Sequence, residues 1–271
     1  MRVTFDENIA NDYVECWGIT VHLLKSTLFA RTREERFRIL SEKIRRALEE
    51  FSDFISGDVR VSLASAWVRY YVFRVEADGT YALLVLSPDS PVGSFKKCIE
   101  SLGNLLERFA ANVAKPLAFS DEFMLQEWVN AKPLSEFRDG DVLVDVENAR
   151  KCIELAGYLL WKLNEEGYVY HPWDDYELAY DGEKLIFLDV TRFVRKTLSP
   201  AEFFDFYFGA PFTPPEIIKP SDDPAHRLYY RGVSEKDYFG TSREEYVELF
   251  LKGVRRASRQ AYEAISSSLQ R

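Results

Sequence analysis

The chain has 271 residues, 46% of them hydrophobic and 29% charged, which is enough to bury one or two sizeable cores. Its formal net charge of -9 argues against a general nucleic-acid binder or an anionic-membrane binder, since both need a basic surface. No apolar run approaches the roughly 18 residues of a membrane span, and the acidic start MRVTFDENIANDY lacks the basic-then-apolar layout of a signal peptide.

The first predicted element is a helix over TREERFRILSEKIRRALEEF, residues 32–51. Thr32 and Glu35 form a capping box, and Phe37, Leu40, Ile44, Leu48 and Phe51 recur at helical spacing. Gly57 ends this helix, so residues 1–58 read as an N-terminal helical extension. VRVSLAS, VRYYVFRVEA and TYALLVLS, between 59 and 87, are β-branched and aromatic, and Asp78-Gly79 separates the last two as a hairpin turn. FKKCIESLGNLLERFAANV, 95–113, is predicted as one helix with Cys98, Ile99, Leu102, Leu105, Leu106 and Phe109 inward. Pro116 stops it, and two short strands follow up to Val129.

A long helix over about 145–166 presents Ala149, Cys152, Ile153, Ala156, Leu160 and Leu163 on one face. Next come the loop YHPWDDYEL and the strand KLIFLDV. From Ser242 onward the pattern is again helical, with Val247, Phe250, Leu251, Val254, Ala261 and Ile265 inward. Strands, a helix, more strands and then mainly helices indicate an α+β protein rather than an alternating parallel-sheet one.

Four segments in this order carry a resemblance. TYALLVL at 80–86 resembles the V-A-I-K strand of protein kinases. FMLQEWVNAKPLSEF at 123–137 resembles the segment that joins the two kinase lobes and borders the nucleotide, making Glu127 and Val129 nucleotide-site candidates. GYVYHPWDDYELAYDGEKLIFLDVTRF at 167–193 resembles the catalytic loop, its hairpin and the D-F-G strand, and FGAPFTPPEIIKP at 208–220 resembles the end of an activation segment. The resemblance to the protein-kinase-like fold covers about residues 59–220. It implies a small β-rich lobe over 59–129 and a mainly helical, shortened lobe over 130–271.

Phosphoryl transfer on this fold is positioning and charge neutralisation by a glycine-rich loop, a strand lysine, a loop Asp, and an Asn and Asp that hold magnesium. The corresponding stretch SLASAWVRYYV has no glycine, and bulky Trp67, Arg69 and Tyr70 stand where backbone would approach phosphate. Leu84 occupies the lysine position, while Lys96 and Lys97 lie beyond a proline-bounded turn. Glu100, the helix residue that would pair with a lysine, reads as an exposed position. With Tyr170-His171 at the start of the catalytic loop, Pro172 takes the place of the Asp and Glu177 that of the Asn. Asp174 or Asp175 could serve as base if the loop is remodelled, although adjacent loop acids are more often solvated or capping groups.

Asp189 survives at the D-F-G position, with Val190 and Thr191 in place of Phe and Gly. Two readings stand for it: a magnesium ligand together with Glu177, or an acceptor for amides of its own loop. Glu216 is expected in a structural ion pair with Arg227, Arg231, Arg255 or Arg256, and His171 is expected to pack near the D-F-G strand. His22 and His226 have no metal-site context. Lys252, Arg255, Arg256 and Arg259 form a basic run that is a solvated face or a partner site.

The resemblance thus implies a degenerate, pseudokinase-type member that binds a protein partner and uses no cofactor. The alternative is an atypical phosphotransferase using ATP and magnesium through Asp174, Asp175, Glu177 and Asp189; a metal-dependent hydrolase on the same acids is a third, weaker reading. Cys16, Cys98 and Cys152 are too scattered for a disulfide framework or a CxxC metal site. A reducing cytoplasm is the expected location, and the abundant charge with little Met and Cys is compatible with a thermophile.

Overall fold

The computed structural model describes residues 2–11, 13–16, 19–22, 32–66, 69–87, 90–133, 138–139, 142–143, 145–170, 178–209 and 243–269. It separates into two units, Met1–Asn130 and Ala131–Arg271. The first unit contains β1 (Val3–Phe5), a 3-10 turn (Glu7–Ala10), β2 (Tyr13–Cys16), β3 (Ile19–His22), α1 (Arg33–Glu50), β4 (Val59–Ala66), β5 (Tyr70–Glu76) and β6 (Thr80–Leu86). After these come α2 (Phe95–Leu102), α3 (Leu105–Arg108), β7 (Pro116–Phe119) and β8 (Phe123–Glu127). One six-stranded sheet joins β1-β4-β5-β6-β8-β7.

Period-two alternation decides which residues enter each face. Val61, Leu63, Phe73, Val75, Leu83, Val85 and Leu125 belong to one buried core with Leu40, Ile44 and Leu48 of α1. α1 is capped as expected, the Thr32 hydroxyl accepting from the Glu35 amide at 3.1 Å. The opposite face carries Tyr70, Leu84 and Met124, and Phe95 of α2 packs on it, its ring 5.9 Å from that of Tyr70. The sheet is therefore covered on both sides within this unit.

Residues 1–58 are not wholly helical. Val3–Phe5 pairs in parallel with Val59–Val61, and side chains of the same segment seal the edge strand beyond it. The Asn8 carboxamide accepts from the Leu63 amide at 3.1 Å and donates to the Leu63 carbonyl at 3.2 Å, acting as one more rung of the ladder. Asp6 binds Arg60 through both carboxylate oxygens, and the buried Arg36 guanidinium donates to the Ala10 carbonyl. The sequence pattern missed β1 because three residues are too few to display an alternation.

Two helix limits also differ from expectation. α1 ends at Glu50 rather than at Gly57; Gly57, with φ of 82°, instead turns the chain into β4. The single helix expected over 95–113 is broken at Gly103, whose φ of 52° ends α2, because a left-handed residue stops the i→i+4 ladder.

The second unit contains β9 (Lys132–Pro133), β10 (Arg138–Asp139), β11 (Val142–Leu143), α4 (Val146–Glu165), β12 (Tyr168–Tyr170), β13 (Leu178–Tyr180), β14 (Leu185–Phe187) and β15 (Phe193–Arg195). Beyond them lie α5 (Pro200–Phe204), α6 (Arg243–Ala257) and α7 (Arg259–Leu269). β13 and β14 form a hairpin extended by β9, and β12 pairs with β15. Asp145 caps α4, whose residues Ala149, Cys152, Ile153, Ala156, Leu160 and Leu163 are buried as the spacing predicts. The C-terminal helix expected from Ser242 onward is split at Ser258, whose hydroxyl accepts from the Ala261 amide and so starts α7.

α4 and α6 meet backbone to backbone. A Cβ on Gly157 would collide with the Phe250 carbonyl, and one on Gly253 with the Glu154 carbonyl. Neither contact leaves room for a side chain. Ion pairs from Lys252 and Arg256 to Glu154, and from Arg150 to Glu245, flank the crossing.

Candidate functional site

β6 follows β4 and β5 as the third strand of an antiparallel meander and is followed by α2, the position the V-A-I-K strand was expected to hold. Its register is unambiguous: Leu84 lies between Val72 and Met124, and Ala82 between Arg74 and Gln126. Leu84 is 1% exposed. A slip of one residue would turn Leu83 or Val85 onto this face, since successive strand side chains point to opposite faces. None of these residues is a lysine.

Lys96, Lys97 and Glu100 of α2 are exposed, in line with a solvated face. Glu127 ends β8 with its side chain exposed, and its amide donates to the Lys115 carbonyl at 3.0 Å. Val129 is half-buried two residues on, and the Arg74 guanidinium lies 5.3 Å from the centre of the Trp128 ring between them. In place of the glycine-rich loop, β4 runs to Ala66 and β5 starts at Tyr70, with Trp67 outside the described residues.

In the second unit, Asp189 directly follows the β13–β14 hairpin, again in the expected order. Three aromatic rings set its position: Tyr170 of β12 is 4.4 Å from Phe187 of β14 and 5.2 Å from Phe193 of β15. The Tyr207 hydroxyl fastens this cluster further, donating to the Tyr170 carbonyl at 3.0 Å. Asp189 is 2% exposed and caps a 3-10 turn over Val190–Arg192. Its Oδ1 accepts from the Thr191 amide at 2.8 Å and from the Thr191 hydroxyl at 2.6 Å. The Arg192 Nε lies 3.5 Å from Oδ2, and the Arg192 side chain is only 11% exposed.

Oδ1 thus accepts from its own turn, while the buried Oδ2 makes no hydrogen bond among the described residues and faces Arg192. Thr191 and Arg192 were not assigned this role beforehand. A D-x-T spacing at a strand end is the available signal, since an Asp readily accepts from the amide two residues on.

His171, Asp174, Asp175, Glu177 and Glu216 lie outside the described residues, as do Arg227 and Arg231. Of the other candidate partners for Glu216, Arg256 binds Glu154 at 2.8 Å and Arg255 lies over the Tyr262 ring. Within the basic run, Lys252 also binds Glu154 and Arg259 binds Glu263. Burial pushes the Cys152 thiol up to about 12, so it is no nucleophile near neutral pH. Among the described residues no group of three or more His, Cys, Asp or Glu side chains is placed to hold a metal ion, and no helix is long and apolar enough to cross a membrane.

The fold is α+β, with a β-sheet first unit and a mainly helical second unit. A protein of the archaeon Archaeoglobus fulgidus named "Uncharacterized protein" is 52% identical over 260 residues, covering 94% of this chain and 90% of that one. The chain belongs to that protein's family. No family model matches it. Among solved structures it is similar to the Rio2 kinase of Chaetomium thermophilum, in a complex with ADP, magnesium and phosphoaspartate, at a TM-score of 0.44 and 14% identity, covering 83% of this chain and 77% of that one. An ethanolamine kinase of Plasmodium vivax matches at a TM-score of 0.42 and 10% identity, covering 89% and 84%.

Proposed function

We propose that this family member is a kinase-like protein in which phosphoryl transfer has been lost and the fold serves to bind a protein partner. The observation that carries the reading is Leu84. On the strand face where a lysine would reach phosphate, an aliphatic side chain is buried between Val72 and Met124. Such a position supplies neither a donor nor a charge, and phosphoryl transfer depends on both.

ATP with magnesium fits the described residues poorly. Leu84 offers the phosphates an apolar wall. At Asp189 the Thr191 donors occupy Oδ1, while the Arg192 guanidinium stands 3.5 Å from Oδ2, which makes no hydrogen bond among the described residues. Nothing in this reading routes a step through either group.

The experiment is a thermal melt of the full chain with and without millimolar ATP and magnesium, repeated with ADP and with EDTA. A ligand bound only by the native state stabilises it by RT ln(1 + [L]/Kd), about 2.7 kcal/mol when the ligand is at a hundred times Kd. The expected result is an unchanged midpoint in every condition. A magnesium-dependent rise that disappears in Asp189→Ala would reject the reading and favour an atypical phosphotransferase, with Asp174 and Asp175 as the next residues to vary.

A further inference from the structure

A carboxylate almost sealed from water needs a compensating charge or a full set of donors. Asp189 has the donors on one oxygen and a cation near the other. We propose that Arg192 is a built-in counter-cation for Asp189, standing where a kinase-like site would take a divalent metal and keeping that metal out. The inference rests on the degenerate reading above and names the residue that enforces it.

The geometry is local and rigid. Asp189 and Arg192 belong to one 3-10 turn, closed by the Arg192 amide donating to the Asp189 carbonyl at 3.3 Å. Phe187 and Phe193, whose ring centres are 5.0 Å apart, clamp the turn from β14 and β15. Oδ1 takes the two Thr191 donors, while the buried Oδ2 makes no hydrogen bond among the described residues and has the Arg192 guanidinium 3.5 Å away as its counter-charge. The guanidinium cannot be discharged near neutral pH and is itself mostly buried, so solvent does not screen the pair as it would at the surface. A magnesium ion demands oxygen ligands at about 2.0–2.1 Å in near-octahedral order. Reaching Oδ2 would bring its double charge against the arginine, so one cation must leave for the other to enter.

The test uses the full chain and Mn²⁺ alone, without nucleotide, read by electron paramagnetic resonance of free Mn²⁺ and by thermal melting. Wild type and Asp189→Asn should bind Mn²⁺ equally weakly. Arg192→Met should melt lower than wild type in EDTA and recover when Mn²⁺ is added. Its Mn²⁺ affinity should exceed that of wild type by roughly tenfold or more, the scale set by removing a like charge a few ångströms away. The gain should vanish in Arg192→Met/Asp189→Asn.

Wild-type Mn²⁺ binding that is lost in Asp189→Asn would overturn the proposal, because metal and arginine would then coexist. So would an Arg192→Met response no larger than that of the double variant. If Arg192→Met does not fold, the comparison of wild type with Asp189→Asn decides alone: equal binding supports the proposal and weaker binding in Asp189→Asn rejects it. Nucleotide stabilisation of wild type together with a metal gain in Arg192→Met would sink the functional reading and leave this one standing.

Discussion

Replacing Gly253 by alanine tests the closest backbone approach at any glycine among the described residues. In a free helix the change would be favourable by about 1 kcal/mol, because alanine is the better helix former. Here the new methyl would stand 2.7 Å from the Tyr158 amide nitrogen and closer still to the Glu154 carbonyl oxygen. Both are backbone atoms of α4 and cannot rotate away. Relief requires α4 and α6 to part by about 1 Å, a gap that forfeits a quarter to a half of each dispersion contact across it. Four buried residues at the crossing, each contributing about 2 kcal/mol by burial, would then lose about 2 to 4 kcal/mol between them. After the propensity gain, a net loss of about 1 to 3 kcal/mol is expected, within the range found for overpacked cores. Urea denaturation followed by circular dichroism at 222 nm measures it. Gly157→Ala should cost a similar amount, and the double variant should cost less than the sum, since one separation relieves both clashes. A Gly253→Ala midpoint at or above wild type would show that helix propensity outweighs packing here and would refute the argument.

Three further outcomes follow from other contacts. Asn164 is buried and its carboxamide binds both the amide and the carbonyl of Leu198, at 2.8 and 2.9 Å; Asn164→Ala should cost about 2 to 4 kcal/mol in urea, since two buried backbone groups lose a partner, and a loss below about 1 kcal/mol would contradict this. Leu84→Lys should cost about 4 kcal/mol, the work of lowering a buried lysine's pKa by about three units, and should confer no ATP-dependent rise in melting temperature, whereas Leu84→Met should cost under about 1.5 kcal/mol. Burial would raise the pKa of Glu154, whose side chain is 17% exposed, but bonds from Lys252 and Arg256 outweigh it and hold the carboxyl below its ordinary value. Its contribution is therefore present at neutral pH and lost as pH falls below the usual glutamate range. Glu154→Gln should accordingly be less stable than wild type at pH 7, with the difference closing as pH falls through the lowered pKa of Glu154; a difference that persists once the carboxyl is protonated would show that the loss is not one of charge.

The meander, the hairpin turn, α1, α4 and the place of Asp189 after an apolar strand were legible because each has a periodicity or a cap long enough to read. β1 was not, since three residues carry no period and its pairing with β4 is a long-range event. Gly103 broke a helix whose apolar spacing continues straight through it, because the pattern registers side chains and not φ. Gly157 and Gly253 left a weak signal, each an isolated glycine inside a helical run, which more often than not has a packing reason. At the candidate site, the absence of a lysine on β6 was visible in the letters alone. The arginine beside Asp189 was not, because nothing in the string D-V-T-R says that the fourth side chain folds back on the first.

On the proposed reading, Leu84 and Asp189 differ in how they depart from a phosphoryl-transfer site. Leu84 contributes about 2 kcal/mol of apolar burial to the core, where a lysine would be a costly buried ammonium. At Asp189 the Thr191 donors occupy Oδ1, whereas the buried Oδ2 makes no hydrogen bond among the described residues and faces the Arg192 guanidinium at 3.5 Å. An active site is usually strained or incompletely satisfied until substrate arrives, and proteins sacrifice stability to keep it so. Leu84 carries no such deficit here, and at Asp189 the deficit is confined to Oδ2, which has Arg192 beside it. Restoring one residue would therefore reopen a single deficit without supplying the others, which is why Leu84→Lys is expected to lose stability and gain no nucleotide. On that reading, phosphoryl transfer would require the lysine, the freed carboxylate and a loop base together, each destabilising until the rest are in place.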